Sequence, residues 1–372
     1  MDKFDITYLT VDSIQEGVGA SQITPLVVGL AKMQRKICLI SYEKTKPTNE
    51  FRDMFSKAGV EWIVKDFGAT GPVAGVRRML ELRNSVPESQ ILHGRSDVAT
   101  VAGIFGKTEA PMLWDVRSLW SDQRLLINSP GWNQITARGA RTLENVSARK
   151  STAMVTLTSA IVPILQRRHH KLPEIREVIP TCVQTSSFLP SSMPEGELTC
   201  LMSGTYNNYY DLERTKQVIT EMRKSVQLKV IWAKPAESPR DFLGVGEDLI
   251  LEMKNSEMPS IVQKSHFGIA ICRQDDAESL AAAVPTKIGE FLSSGRPVIV
   301  SKGIGDLDSI LTETNTGITI GIDDSLKSIT GKITGLISDK STPERCRSLA
   351  MSHFDMEQAI LKYVAIYGKM EK

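Results

Sequence analysis

Within residues 285–294 a lysine and a glutamate, Lys287 and Glu290, stand one helical turn apart. The run is bounded as a helix. Pro285 suits a first turn, where its missing N–H costs nothing, and Gly295 suits the left-handed residue that ends one. Ile288, Phe291 and Leu292 fall at i, i+3, i+4 spacing and predict a face turned to a sheet, with Lys287, Glu290 and Ser294 on another. A helix start that follows a strand offers free N–H groups to an anion. Lys287 in the first turn adds a full positive charge suited to a diphosphate, and Glu290 can accept hydrogen bonds from two hydroxyls of a ribose. Spacing alone equally describes a solvated Lys–Glu pair, worth about 0.2–0.5 kcal/mol.

The elements that must position such a helix alternate along the whole chain. Strands are predicted at 4–10, 37–41, 61–64, 90–93, 111–116, 154–157 and 177–179, with helices between them near 23–33, 51–58, 73–83, 98–105, 137–150 and 160–168. The alternation then restarts, with strands at 198–204, 228–233, 267–272, 297–301 and 319–322 and helices at 212–224, 258–263, 285–294, 325–338 and from 354 onward. Strands alternating with helices imply parallel sheets covered on both faces. Pro180, Pro190, Pro194 and a run of serines mark a boundary. The expected organisation is an α/β protein with a first doubly wound domain over 1–180, a linker over 181–195, a second domain over 196–353, and a closing helix over 354–372 that packs back on the first. Two such domains leave a cleft between the C-terminal edges of their sheets, where ligands bind in this architecture.

At 372 residues the chain suits two domains, and its 41% hydrophobic and 24% charged residues are ordinary for globular proteins. No apolar run reaches the roughly 18 residues needed to span a bilayer. The start MDKFD lacks the basic and apolar pattern of a secretory leader, so a cytoplasmic setting is expected. Cys38, Cys182, Cys200, Cys272 and Cys346 are scattered, which argues against a disulfide framework or a cysteine zinc site. The net charge of +2 gives no reason to expect nucleic acid, but it divides unevenly, +6 over residues 1–180 and −4 over 181–372. The basic half suits an anionic membrane surface or an acidic acceptor, and the run Arg167-Arg168-His169-His170-Lys171 is its densest part. That run also closes a helix, where the dipole favours positive charge in any case.

Several segments share a resemblance. Residues 283–301 read AVPTKIGEFLSSGRPVIVS, 93–96 read HGRS, 114–124 read WDVRSLWSDQR, 178–183 read VIPTCV, and 203–210 read SGTYNNYY. In this order they resemble the donor-site helix, the HARS and FDMRGFWADER segments, the VIPNGVD linker and the second-domain start of family 4 glycosyltransferases, which have the GT-B fold. The resemblance covers nearly the whole chain. It implies retaining transfer of a sugar from a UDP- or GDP-type nucleoside-diphosphate sugar, a co-substrate, to a glycan, lipid-linked or small-molecule acceptor, with no metal or cofactor. Glu290 matches the glutamate that holds the donor ribose. Gly17 and Gly19 match the glycine loop that lets the backbone approach the donor phosphates. Thr205, Pro285, Thr286 and Lys287 complete the donor-side candidates.

Retaining transfer needs positive charge near the departing diphosphate and an acceptor hydroxyl held close as it is deprotonated. His93, Arg95, Asp115 and Arg117 end adjacent strands and are the catalytic candidates. Asp115, Asp122 or His93 can orient the hydroxyl, and Arg95, Arg117 or Arg124 can bind charge. A structural Asp–Arg network under a loop fits the same residues. Trp120 and Trp132 can stack on a sugar or lipid, or simply pack their loop. The sequence also departs from the family. Ala282 stands where the commoner pattern has a first glutamate, Glu278 is out of register, and the second-domain start offers Asn207-Asn208-Tyr209-Tyr210 with Arg214 and Lys216 only further on. These departures keep two alternatives open, a GT-B protein that binds a glycan or a partner with weakened catalysis, and a nucleotide-sugar epimerase. Asp306-Leu307-Asp308 matches a metal-binding D-x-D pattern but precedes an apolar run, where helix capping is the simpler role. Gly17-Val18-Gly19 with Glu43 lacks the third glycine of a dinucleotide fingerprint.

Overall fold

The structure, a computed structural model, describes residues 3–125, 132–206, 209–235, 249–275 and 277–371. It divides into two compact units, Met1–Pro180 with Met356–Lys372, and Thr181–Asp355.

The first unit carries a seven-stranded parallel sheet ordered β3-β2-β1-β4-β5-β6-β7. Its strands are β1 (Phe4–Leu9), β2 (Ile37–Glu43), β3 (Val60–Asp66), β4 (Ser89–Arg95), β5 (Met112–Val116), β6 (Ala153–Thr156) and β7 (Ile175–Val178). The second unit carries six, ordered β10-β9-β8-β11-β12-β13: β8 (Leu198–Ser203), β9 (Leu228–Lys234), β10 (Leu249–Glu252), β11 (Phe267–Ala270), β12 (Val298–Ser301) and β13 (Gly317–Ile320). Central strands such as ICLISYE in β2 are buried along their whole length, as parallel strands covered by helices on both faces must be. In each sheet the order reverses beside the first strand, between β1 and β4 and between β8 and β11. At such a point the loops leave in opposite directions and open a crevice at the C-terminal strand ends.

The closing helix Met356–Met370 belongs to the first unit and packs on the helix Thr24–Lys32 and on β7. Gly29 makes this possible, since a Cβ there would lie 2.1 Å from Ile360 Cδ1. The Pro- and Ser-rich segment 181–195 is tied into the second unit. The buried Arg296 guanidinium donates to the carbonyls of Ser191 and Ser192, each at 2.9 Å, and Arg347 donates to those of Thr185 and Phe188.

Among the elements not expected are β10 and the helix Thr342–Leu349. β10 is a four-residue, mostly exposed edge strand, so it lacks the burial pattern of its neighbours. The helix Thr342–Leu349 buries only Thr342, Cys346 and Leu349, too few apolar positions to show a period. All five cysteines are buried and free. No helix among the described residues is long and apolar enough to cross a membrane.

Candidate functional site

In the first unit the register sets Tyr8 beside His93, and Arg95 beside Asp115. Side chains two apart on a strand share a face, so these four stand together at the C-terminal ends of β1, β4 and β5. The closing helix covers them with Tyr363 and Tyr367, one turn apart.

His93 and Asp115 are fully enclosed. Asp115 Oδ2 accepts from His93 Nε2 at 3.2 Å and from the Tyr363 hydroxyl at 3.3 Å, and forms an ion pair with Arg117 Nε at 3.0 Å. Burial alone would raise the Asp115 carboxyl, but Arg117, the His93 hydrogen bond and Arg95 hold it at about 2. Burial is also the main cause that lowers the His93 imidazolium below its ordinary range. An ionised carboxylate only accepts, so His93 is the neutral tautomer with its proton on Nε2, and Nδ1 accepts from the Tyr367 hydroxyl at 2.7 Å. Asp115 Oδ1, also buried, has no hydrogen-bond partner among the described residues. Arg95 reaches outward and pairs through Nε with the exposed Asp12 at 3.3 Å.

Asp12 opens the glycine loop. Glu43, at the end of β2, organises that loop by accepting from Ser13 Oγ at 2.7 Å, Ile14 N at 3.1 Å, Gln15 Nε2 at 3.2 Å and Ser41 Oγ at 2.6 Å. The acid end of β2 is therefore spent on its own chain. Gly17 has φ +52 and open space around its Cβ position, whereas a Cβ on Gly19 would lie 1.8 Å from the Ser13 carbonyl oxygen. Only glycine fits at the second position.

The acceptor-side candidates lie on the next helix, Trp120–Leu125. Asp122 is buried and accepts both Nη1 and Nη2 of Arg168, at 2.9 and 3.0 Å, and Arg141 at 3.1 Å. Behind it the buried Glu144 accepts from His169 Nε2 at 2.7 Å. Trp120 is half-buried. The side chains of Arg124 and Trp132, and residues Asn207 and Asn208, lie outside the described residues. A groove of about 700 Å³ runs over this network, lined by Arg141, Arg149, Arg168, His169, His170 and Lys171, among others.

In the second unit the helix Thr286–Ser293 starts from Pro285 in an extended conformation. Ile288, Phe291 and Leu292 are buried, and Gly268 of β11 leaves room for the Phe291 ring, which a Cβ there would meet at 2.2 Å. Lys287 is not a solvated partner of Glu290. It is 92% buried, with Nζ 4.3 Å from the centre of the Tyr206 ring and 4.0 Å from that of Tyr210. Nζ has no hydrogen-bond partner among the described residues. Burial pushes the ammonium down to about 8 against the pull of Cys272 and Glu290. Burial likewise pushes the half-buried Glu290 carboxyl up to about 7 against Lys287. Thr205 is exposed just past β8, and Pro285 and Thr286 are half-buried. Ala282 is buried.

The other candidates are used locally. Arg214 donates to the carbonyls of Gly321 and Asp324, and Lys216 pairs with Glu213. Asp308 accepts from Gly303 N at 2.9 Å and so closes the turn before the helix Leu307–Thr314. No group of three or more His, Cys, Asp or Glu that could hold a metal occurs among the described residues. Sequence reasoning missed Tyr363 and Tyr367 on the closing helix and gave Tyr206 and Tyr210 no role. Each pair is spaced i, i+4, which was a readable sign of one shared helix face only for the first.

Two Rossmann-like units with these strand orders define the GT-B fold of glycosyltransferases. Among solved structures the chain is similar to a sucrose-phosphate synthase from Thermosynechococcus elongatus, at 12% identity and TM-score 0.73 over 99% of both chains. It is also similar to HepE from Anabaena in complex with UDP-glucose, at 12% identity and TM-score 0.68 over 97% of this chain and 99% of that one. A glycosyltransferase from Rickettsia africae gives 14% identity and TM-score 0.67 over the whole of both. No protein-family model and no curated protein sequence matches the chain.

Proposed function

We propose that the chain is a retaining glycosyltransferase that moves a sugar from a nucleoside-diphosphate sugar to a glycan or lipid-linked acceptor. The observation that carries this is the Thr286–Ser293 helix, which sets Lys287 and Glu290 one turn apart beside the β8/β11 reversal of a GT-B fold. Structural similarity to HepE, captured with UDP-glucose, supports a nucleotide-sugar donor. In this reading Glu290 accepts the two ribose hydroxyls, while the helix start and Lys287 meet the diphosphate. Gly17 and Gly19 leave the backbone of the first unit's loop without side chains, as close approach by a phosphate requires.

The bond from the anomeric carbon to the β-phosphate oxygen breaks, and the acceptor oxygen forms the new bond on the same face. Its proton passes to the departing diphosphate, so the step needs no metal. Positive charge stabilises that leaving group, and Arg95 and Arg117 are the first-unit groups suited to it. His93 and Asp115 act through them, because a closed, fully buried pair can hold Arg117 but cannot reach a substrate. The cationic groove over Arg149, His170 and Lys171 suits an acidic acceptor or an anionic membrane surface.

Titration with UDP and GDP tests the donor assignment. Glu290→Ala is expected to weaken nucleotide binding about tenfold, the loss of one charged hydrogen-bonding group; unchanged tight binding sinks the ribose role. The buried Ala282, in place of a sugar-contacting glutamate, favours a second reading as a glycan- or partner-binding protein. Transfer or hydrolysis of any sugar in a nucleotide-sugar panel eliminates it.

A further inference from the structure

A GT-B donor site needs a cation for the diphosphate, and the exit of β8 offers none that is uncommitted among its described residues. Arg214 is anchored on the carbonyls of Gly321 and Asp324, and Lys216 on Glu213. Lys287 contrasts with both. An ammonium has three donors and no acceptor, and this one is buried with no hydrogen-bond partner among the described residues. What it has is two aromatic faces, both well inside the range of about 6 Å over which a ring attracts a cation.

Each ring is fixed from behind. The Tyr206 hydroxyl donates to the Ile269 carbonyl at 2.9 Å, and its ring stands edge-on to Trp232. Tyr210 is held by its bridge to Cys272 and stands edge-on to Tyr209. The rings lie 4.6 Å apart. The ring faces offset part of the ammonium charge but supply no lone pairs, so the N–H donors gain acceptors when an anion reaches Nζ.

We infer that Tyr206 and Tyr210 form a two-ring seat that presents Lys287 as the phosphate-binding cation of the second unit, replacing a cation from the β8 exit. The two tyrosines are positioning residues. The inference rests on the glycosyltransferase reading for the identity of the nucleotide, but its shared chemistry is a di- or pyrophosphate anion.

The test is calorimetry on the full chain with UDP, GDP and inorganic pyrophosphate, with ligand-observed NMR for uridine and guanosine. Lys287→Met is expected to weaken the diphosphate nucleotides about 30-fold and leave the nucleosides unchanged, the loss of a charge-assisted contact. Tyr210→Phe, which keeps the ring, is expected to bind as the unaltered chain does. Tyr210→Leu is expected to lose about fivefold on the diphosphates alone. Unchanged diphosphate affinity in Lys287→Met overturns the inference. Equal losses on nucleoside and diphosphate in Tyr210→Leu overturn the seat, since that is what general loosening does. Pyrophosphate binding that depends on Lys287, without nucleotide binding, upholds the inference and overturns the glycosyltransferase reading. Absence of both overturns both.

Discussion

At the C-terminal ends of β4 and β5 each charge of the first unit has an opposite charge from its own chain, Asp115 with Arg117 and Arg95 with Asp12. At the matching end of β11 in the second unit, Lys287 has ring faces and no hydrogen-bond acceptor among the described residues. The same strand order thus supports two kinds of polar site. One has its charges paired as folded, although Asp115 Oδ1 lacks a hydrogen-bond partner among the described residues. The other carries the cost of stripping water from an ammonium and leaves the compensating hydrogen bonds to something that binds. The enclosed His93–Asp115 pair should behave as structure, and Lys287 as function held at the expense of stability.

The largest expected effect breaks the first half of that comparison. Asp115→Ala leaves Arg117 uncompensated and His93 without an acceptor, and is expected to cost about 3–5 kcal/mol, read as a large fall in Tm. Lys287→Met is the control. It removes a buried charge that has no acceptor, so its Tm is expected to be unchanged or higher. A Tm fall in Lys287→Met as large as that in Asp115→Ala removes the contrast.

Acid and base sharpen it. The Asp115 carboxyl is held at about 2, below its ordinary 3.8. The unfolded chain therefore takes up the proton first. The contribution, about 2 kcal/mol, is complete above pH 4 and is lost as the pH falls through 2. Glu290 runs the other way. At about 7 against an ordinary 4.5, the folded state keeps the proton longer, so stability falls as the pH rises from 4.5 through 7. Lys287, at about 8 against 10.5, gives up its proton early, so stability recovers between pH 8 and 10.5. Thermal melts across this range are expected to show the middle decline, and Glu290→Gln to flatten it. A decline that persists in Glu290→Gln assigns it to another group.

The smallest effect is a single hydrogen bond. Tyr363→Phe removes one of the two hydrogen bonds to Asp115 Oδ2, the other being from His93, and is expected to cost about 1 kcal/mol, visible in urea unfolding. No change means that the His93 hydrogen bond and the Arg117 ion pair suffice.

The fold was legible because buried parallel strands leave continuous apolar runs, and most of the predicted strands fall where the sheets have them. The Thr286–Ser293 helix was legible from Pro285, Gly295 and the spacing of Ile288, Phe291 and Leu292. What Lys287 does was not. Its two tyrosines come from a segment some 80 residues earlier and meet it only through the pairing of Tyr210 with Cys272. Likewise His93 and Asp115 were readable as polar strand ends, but their enclosure depends on Tyr363 and Tyr367, which arrive from the far end of the chain. Spacing reports neighbours along one element; it does not report which distant element will cover them.

That distance has a consequence for how the protein is made. His93 and the tyrosine hydroxyl that completes it are 274 residues apart, and the second unit is synthesised between them. At roughly 5–20 residues per second, the first unit waits roughly 15–55 seconds on the ribosome with its polar strand ends uncovered. A nascent chain is therefore expected to present a finished second unit before the first, although the first began emerging earlier.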